Sequence, residues 1–361
     1  MKVTPFFDIH EDLGAKMALF GGYQMPIQYS GVKQEHLAVR ENIGVFDVSH
    51  MGEFEVEGPR AFDLLQFICS NDISKLKPGK AQYNCLPNEN GGIVDDLIVY
   101  QIKADKYLLV VNASNIEKDW NHIQQQNENF GAIVTDVSEK TALLAIQGPK
   151  AIEAMQSLCP LDLKTLSYYS HVTTTFGGIN NVLVATTGYT GAGGIEIYFE
   201  PQHAQHIWKA VMKAGMGYGI LPVGLAARDT LRLEMGYCLY GNEIDEKTSP
   251  ISAGLAWVTK PNTRFLNAPF HQKIMEKGSN EKLIGFKIND RGIPRSGYLI
   301  FDAEENLIGR VTSGTQSPSL NLGIGLGYVN SDFSTPGLRL KIQIRDKFVP
   351  ATVTTLPFIK S

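Results

Sequence analysis

The sequence predicts an α+β protein that ends in an all-β unit. Three observations carry this. Helix and strand periodicities interleave as far as about residue 245, short apolar strands separated by turn residues fill the chain after about residue 250, and 43% of the 361 residues are hydrophobic, enough for more than one core. At about 150 residues per domain, such a chain holds two or three domains.

Each element has its own warrant. Residues 32–42 read as a helix, and GVFDVSHMGEFEVEG reads as one short apolar strand that alternates at Phe54 and Val56 and stops at Gly58-Pro59. Ala61, Leu64, Leu65, Phe67 and Ile68 mark a helix within residues 60–75. Three strand candidates follow, divided by NENGG and KADK, which predicts a hairpin or meander. NIEKDWNHIQQQNE is helical, IVTDVSEKTALLAIQGPKA holds two strands and a helix start, and AIEAMQSLC is a further helix. NVLVATTGYTGAGGIEIYF is a strand pair around a glycine-rich turn. HAQHIWKAVMKAG is an amphipathic helix with Ile207, Val211 and Met212 on one side, and GLAARDTLRLEMG is a helix stopped by Gly236. A helix near APFHQKIMEKG precedes six short strands, KLIGFKI, YLIFD, LIGRVTSG, GIGLGYV, LRLKIQI and ATVTTLPF, whose spacing predicts a small β-barrel or sandwich.

Composition excludes several classes of function. A net charge of −4 gives no basic footprint for nucleic acid. No run approaches the roughly 18 apolar residues of a membrane span, and MKVTPFFDIHEDLG carries charges where a signal peptide is apolar, so a cytoplasmic protein is expected. Cys69, Cys85, Cys159 and Cys238 form no CxxC pair and read as reduced, buried thiols, with no metal site.

GYTGAGGIEIYF leads into a strand, whereas a dinucleotide fingerprint opens a helix, and GIGLGYV fails in the same way. A tight turn where backbone approaches something closely is the better account. His203 and His206 lack the HExxH context and read as a solvated helix face, while His50 interrupts an apolar strand and reads as a satisfied structural histidine. ARDTLRLE offers either surface ion pairs or an arginine aimed at a ligand. In GGIVDDLIVY, Asp95 and Asp96 face opposite sides of a strand whose two faces are otherwise apolar. Capping of the NENGG turn and acid–base or amine-orienting work are equally open readings of that pair.

DVSHMGEFEVEGP, NENGGIVDDLIVY, LLVVNASNIEKDW, LLAIQGP, TTGYTGAGGIEIYF, GLAARDTLRLEMGYCLYGNEID and VTSGTQSPSLNLGIGLGYV together, in this order and over nearly the whole chain, resemble the T-protein family of the glycine cleavage system, the aminomethyltransferases. The resemblance implies a three-domain cloverleaf around a central folate-binding hole: residues 1–50 with 140–245 as a discontinuous α+β domain, 51–139 inserted in it, and 246–361 as a β-rich, barrel-like domain. It implies transfer of a one-carbon unit from the S-aminomethyl-dihydrolipoyl arm of H-protein to tetrahydrofolate, giving 5,10-methylenetetrahydrofolate and ammonia. Tetrahydrofolate is then the acceptor substrate, lipoylated H-protein the partner, and the P- and L-proteins indirect partners, with no metal, nucleic acid or membrane involved.

Carried residue by residue, the resemblance makes Asp95 the catalytic carboxylate facing the folate and leaves Asp96 to tie down the neighbouring turn. Glu196 binds the pterin, Arg228 contacts the folate, and Asn112, Tyr83, Tyr100, Met51 and Arg295 are further folate contacts. Two positions depart from the pattern: Ala192 stands where many members carry glutamate, and LPFIKS stops before a further folate contact that Lys360 could replace. Competing readings are a folate-dependent demethylase, the folate module of a dimethylglycine-type dehydrogenase, a folate-binding scaffold linked to iron–sulfur assembly, and a hydrolase using Asp95. The scaffold relatives carry a KGCYxGQE-type motif, and the corresponding TTGYTGAGGIE has no cysteine.

Overall fold

The structure, a computed structural model, describes residues 2–360. It divides into two compact units, each discontinuous. The first comprises the chain up to Leu65 with Ile73–Tyr83 and Leu97–Asp229; the second comprises Gln66–Asp72, Asn84–Asp96 and the chain from Thr230 onward. These bounds cut across the three-way division drawn from the sequence.

The chain opens with β1 (Lys2–Val3), α1 (Phe7–Asp12), β2 (Lys16–Phe20) and β3 (Tyr23–Gln28), whose strands form a three-stranded sheet in the order β1-β3-β2. These strands escaped the sequence reading because β2 is exposed or half-exposed throughout and β3 contains Pro26, so neither shows clean alternation. After α2 (Val32–Glu41), the stretch read as one strand is two, β4 (Ile43–Asp47) and β5 (Gly52–Glu57), which belong to different sheets. The break has a local cause. Asp47 accepts the Ser49 N–H at 3.0 Å and Val48 accepts the Met51 N–H at 3.1 Å, which turns the chain between them.

There follow α3 (Ala61–Ile68), β6 (Lys80–Pro87), β7 (Ile93–Lys103), β8 (Lys106–Val111), α4 (Ile116–Asn127) and β9 (Ile133–Asp136). Strands β5 to β9 make a five-stranded sheet in the order β6-β7-β8-β5-β9. Next come β10 (Ala142–Gln147), α5 (Ala151–Met155), β11 (His171–Phe176), β12 (Ile179–Ala185), β13 (Gly194–Phe199), α6 (Ala204–Gly215), β14 (Ile220–Pro222) and α7 (Leu225–Glu234). The second sheet runs β11-β12-β13-β10-β4-β14. Its central strand β10 is buried along its whole length. Leu144 and Ile146 join Ile195, Ile197 and Val45 in one core, into which α6 sends Ile207, Trp208 and Val211, with Met212 partly buried at its margin. Burial of such side chains contributes roughly 1.5–3 kcal/mol each relative to exposure.

In the second unit, α8 (Ala268–Lys277) precedes β15 (Glu281–Ile288), β16 (Leu299–Phe301), β17 (Leu307–Gln316), β18 (Gly323–Asn330), β19 (Arg339–Ile344) and β20 (Lys347–Thr354). All six strands close into a barrel in the order β15-β18-β17-β16-β19-β20, filled by Phe286, Ile300, Val311, Leu340, Ile342 and Val353 among others. Closure leaves no free sheet edge, which settles the choice between barrel and sandwich. All four cysteines are buried and none forms a disulfide. Among the described residues, no helix is long and apolar enough to cross a membrane.

Candidate active site

The glycine-rich turn between β12 and β13 sets up the site. At Gly194, φ is +125°, and a Cβ there would lie 2.2 Å from the Ile146 carbonyl oxygen. Only glycine lets β13 start this close to β10. Two residues on, Glu196 has Ala145 of β10 and Ala185 of β12 as its cross-strand neighbours. Two methyl groups flank the carboxylate where larger side chains would fill the space.

Glu196 is 9% exposed and accepts a 2.5 Å hydrogen bond from Thr187 on Oε2. Since Thr187 donates there, its oxygen accepts from the Tyr100 hydroxyl at 2.9 Å, and Tyr100 in turn accepts from Tyr198 at 2.9 Å. Three hydroxyls thus point in series at one carboxylate. Burial raises the Glu196 pKa, and the Thr187 hydrogen bond and the Arg228 charge work against that rise. The phenols of Tyr100 and Tyr198 are pushed well above the usual tyrosine value, chiefly by burial, and stay protonated.

Arg228 stands in the first turn of α7. That turn is held by Glu35, a fully buried carboxylate that accepts the N–H groups of Gly224 at 2.8 Å, Tyr29 at 2.7 Å and Gly31 at 2.9 Å. The guanidinium lies 4.8 Å from the centre of the Tyr189 ring, and its Nη1 has no hydrogen-bond partner. Burial lowers its pKa, while the Glu196 charge raises it. His50 is 2% exposed with Nδ1 unpaired, so it is not the fully satisfied structural histidine read from the sequence. Burial, and beyond it the Arg228 charge, hold its pKa down to about 4 against the pull of Asp47, which leaves the ring neutral near pH 7.

Strand β7 keeps the alternation that the sequence predicts but buries the carboxylate expected to face the folate. Asp95 is 0% exposed, whereas Asp96 and Ile98 are half-buried. Period-two alternation puts Asp96, Ile98 and Tyr100 on one face and Asp95 with Leu97 and Val99 on the other. Asp95 therefore does not look out beside Tyr100; Asp96 does. The sequence leaves this open because Ile, Leu and Val occupy both faces.

Of the other expected contacts, Met51, Tyr83 and Asn112 are half-buried. Arg295 is exposed and donates to the Gly314 carbonyl at 3.2 Å within the barrel. Ala192 lies in the glycine-rich turn, where its N–H donates to Thr190 at 3.2 Å, so the missing carboxylate leaves that turn hydrogen-bonded. Among the described residues, no three His, Cys, Asp or Glu side chains converge as a metal site.

Comparison with known proteins decides the family. Residues 6–263 match the family model "GCVT N-terminal domain", and residues 281–360 match "Glycine cleavage T-protein C-terminal barrel domain". The chain belongs to the glycine cleavage T-protein family. It is 56% identical over 360 residues to an aminomethyltransferase of Flavobacterium psychrophilum, with all of both chains covered. It is 54% identical to one of Bacteroides thetaiotaomicron, again with all of both chains covered. The crystal structure of the glycine cleavage system aminomethyltransferase T from Bartonella henselae superposes with a TM-score of 0.93 at 34% identity, covering 99% of this chain and 98% of that one.

Within this family fold, the structure brings Tyr100, Glu196 and Arg228 into one network and adds Thr187, Tyr189 and Tyr198 to it. Tyr198 was within reach of sequence reasoning, because it lies two residues after Glu196 on one strand face. Thr187 had no such signal, since it lies beyond the end of β12 and the fold alone decides its direction.

Proposed function

We infer that the chain is the aminomethyltransferase of the glycine cleavage system. It takes the one-carbon unit of an S-aminomethyl-dihydrolipoyl carrier protein onto tetrahydrofolate, releasing ammonia and the dihydrolipoyl thiol. The reaction balances without a redox partner. The two hydrogens lost from N5 and N10 of the folate leave on the amine and on the sulfur, and the methylene carbon gains two C–N bonds.

The observation that carries this reading is the buried carboxylate fed by three hydroxyls beside an unsaturated guanidinium. Glu196 engages one oxygen with Thr187, and Arg228 has Nη1 without a partner. A pterin ring carries neighbouring N–H donors and a carbonyl on one edge, which suits a carboxylate and an arginine placed together. Because Thr187, Tyr100 and Tyr198 all donate toward Glu196, the carboxylate is held ready as an acceptor and needs no reorganisation on binding.

For the chemistry we assign Asp96 in place of Asp95. As the amine leaves and the carbon becomes electron-poor, a half-buried carboxylate on the Tyr100 face of β7 stabilises positive charge more strongly than it would in water. Fully buried, Asp95 is left a structural role. Met51, Tyr83 and Asn112 are retained as folate contacts on the strength of their motifs, and lipoylated H-protein as the donor.

The deciding measurement is ammonia release from aminomethyl-loaded H-protein, with and without tetrahydrofolate. Fast release that requires folate, with methylenetetrahydrofolate formed in step, supports the reading. Folate binding without stimulation of release sinks it.

A further inference from the structure

Gln147, the last residue of β10 and part of the motif LLAIQGP, is 1% exposed and spends its side-chain amide on the glycine-rich turn. Nε2 donates to the Thr187 carbonyl at 3.1 Å and to the Ile195 carbonyl at 3.3 Å, and Oε1 accepts from the Thr190 hydroxyl at 2.9 Å. Carbonyl oxygens only accept, so the NH2 end must face Thr187 and Ile195, and the partners fix which way the amide points. One side chain thus ties together the start, the middle and the end of the turn.

The surroundings are built to fit this amide. A Cβ on Gly188 would lie 2.0 Å from Gln147 Oε1, so only glycine lets the backbone pass this close. The main chain of Gln147 pairs with Gly44 of β4 and with Gly194 of β13. Thr190 is engaged twice more: its hydroxyl accepts the Ala192 N–H at 3.2 Å, and its carbonyl accepts from Arg40 of α2.

Two side chains of the candidate site leave from the segment that the amide holds at both ends. Thr187 donates to Glu196 at 2.5 Å, and the Tyr189 ring centre lies 4.8 Å from the Arg228 guanidinium. Gln147 itself bonds neither Glu196 nor Arg228. An O–H···O bond works between about 2.5 and 3.0 Å, so a drift of about 1 Å in the Thr187 backbone removes it.

We propose that Gln147 is a positioning residue for the folate site. Through the Thr187 carbonyl and the Thr190 hydroxyl it sets Thr187 against Glu196 and Tyr189 against Arg228. This rests on the folate reading above and adds what holds the carboxylate and the guanidinium ready for the same substrate.

The test is calorimetric Kd for tetrahydrofolate as a function of pH, on the full chain and on Gln147→Met, Thr187→Val and the double variant. Gln147→Met keeps the length of the side chain and removes its hydrogen bonds. It should raise Kd by roughly 10-fold at neutral pH, the cost of one lost hydrogen bond to a charged group. Ammonia release at saturating folate should stay within a few-fold. Without the Thr187 donor the Glu196 carboxylate protonates more readily, so the acid limb of binding should move to higher pH. Arg228, Tyr100 and Tyr198, the other titratable groups that face Glu196, are the same in every variant. In the double variant the two losses should combine to less than their product, because both act through one bond. Thr190→Val, which frees Oε1 and spares both carbonyl bonds, should show the same shift to a lesser degree and carries the test if Gln147→Met does not fold. Losses that multiply, or an acid limb that stays in place, overturn the proposal. If Gln147→Met binds tetrahydrofolate normally while Glu196→Ala does not, the positioning role is wrong and the folate reading stands. If the unmodified chain does not bind tetrahydrofolate, the folate reading falls and this role with it.

Discussion

Glu53 offers a prediction whose size follows from a proton count. It lies on β5 with 0% exposure, and neither carboxylate oxygen has a hydrogen-bond partner. Burial raises its pKa well above the usual carboxylate range, and the charge of Asp136 adds to the rise. In the unfolded chain the same group titrates at about 4.3. Between that value and the raised folded value, the native state binds one proton that the unfolded state has lost. Stability then falls as pH rises, by about 1.4 kcal/mol per pH unit, and the loss is complete only above the folded pKa.

Glu53→Gln keeps the shape and removes the titration. Urea unfolding of both proteins at pH 5, 6 and 7 isolates this one group, because all other ionisations are common to the pair. Relative to Glu53→Gln, the unmodified protein should lose stability as pH rises, at a slope of up to about 1.4 kcal/mol per unit below the folded pKa. The pH 5 offset reflects any difference in packing between acid and amide and does not affect the slope. Parallel pH profiles would show that Glu53 is ionised in the fold, and the reasoning from burial would be refuted.

Three other predictions test different parts of the molecule. Asp96→Asn should abolish nearly all folate-dependent ammonia release while leaving the folate Kd within a few-fold, and Asp95→Asn should keep turnover; the opposite pattern would return the role to Asp95. Glu196→Ala should weaken tetrahydrofolate binding by about 1–3 kcal/mol, the cost of leaving buried polar partners unpaired, as read by calorimetry; unchanged affinity would place the pterin elsewhere. In the second unit, Arg232 is buried with Glu243 at 2.8 Å and also donates to Ser313 at 2.8 Å, so Arg232→Met leaves an uncompensated buried carboxylate. That should cost about 3–5 kcal/mol in denaturant unfolding, and a loss below about 1 kcal/mol would mean that the Glu243 charge is solvated or neutralised.

Much of the fold was legible because its signals are local. The helices at Val32–Glu41, Ile116–Asn127, Ala204–Gly215 and Leu225–Glu234 lie where apolar periodicity and stop residues put them. Six barrel strands follow from β-branched runs cut by turns. The glycine-rich turn marks a close backbone approach, because Gly194 packs against the Ile146 carbonyl. Signals failed where they were weak. The early strands have no alternation to detect, and Asp47 breaks a continuous apolar run through a hydrogen bond to its own backbone neighbour.

By itself, then, the sequence determined the α+β class, the all-β end, the exclusion of nucleotide-binding loops and the resemblance that led to the family. Each of these depends on residues close together in the chain or on long ordered motifs. Tertiary structure alone decided that Asp95 is fully buried and Asp96 only half-buried, and it joined Tyr100, Thr187, Glu196 and Arg228 across a long stretch of chain. It also left the Glu53 carboxyl without a partner and set the Gln147 amide between the Thr187 and Ile195 carbonyls. The physical reason is common to all four. A side chain's hydration and its hydrogen-bond partners depend on what packs against it from distant parts of the chain, and alternation along one strand says only which residues share a side.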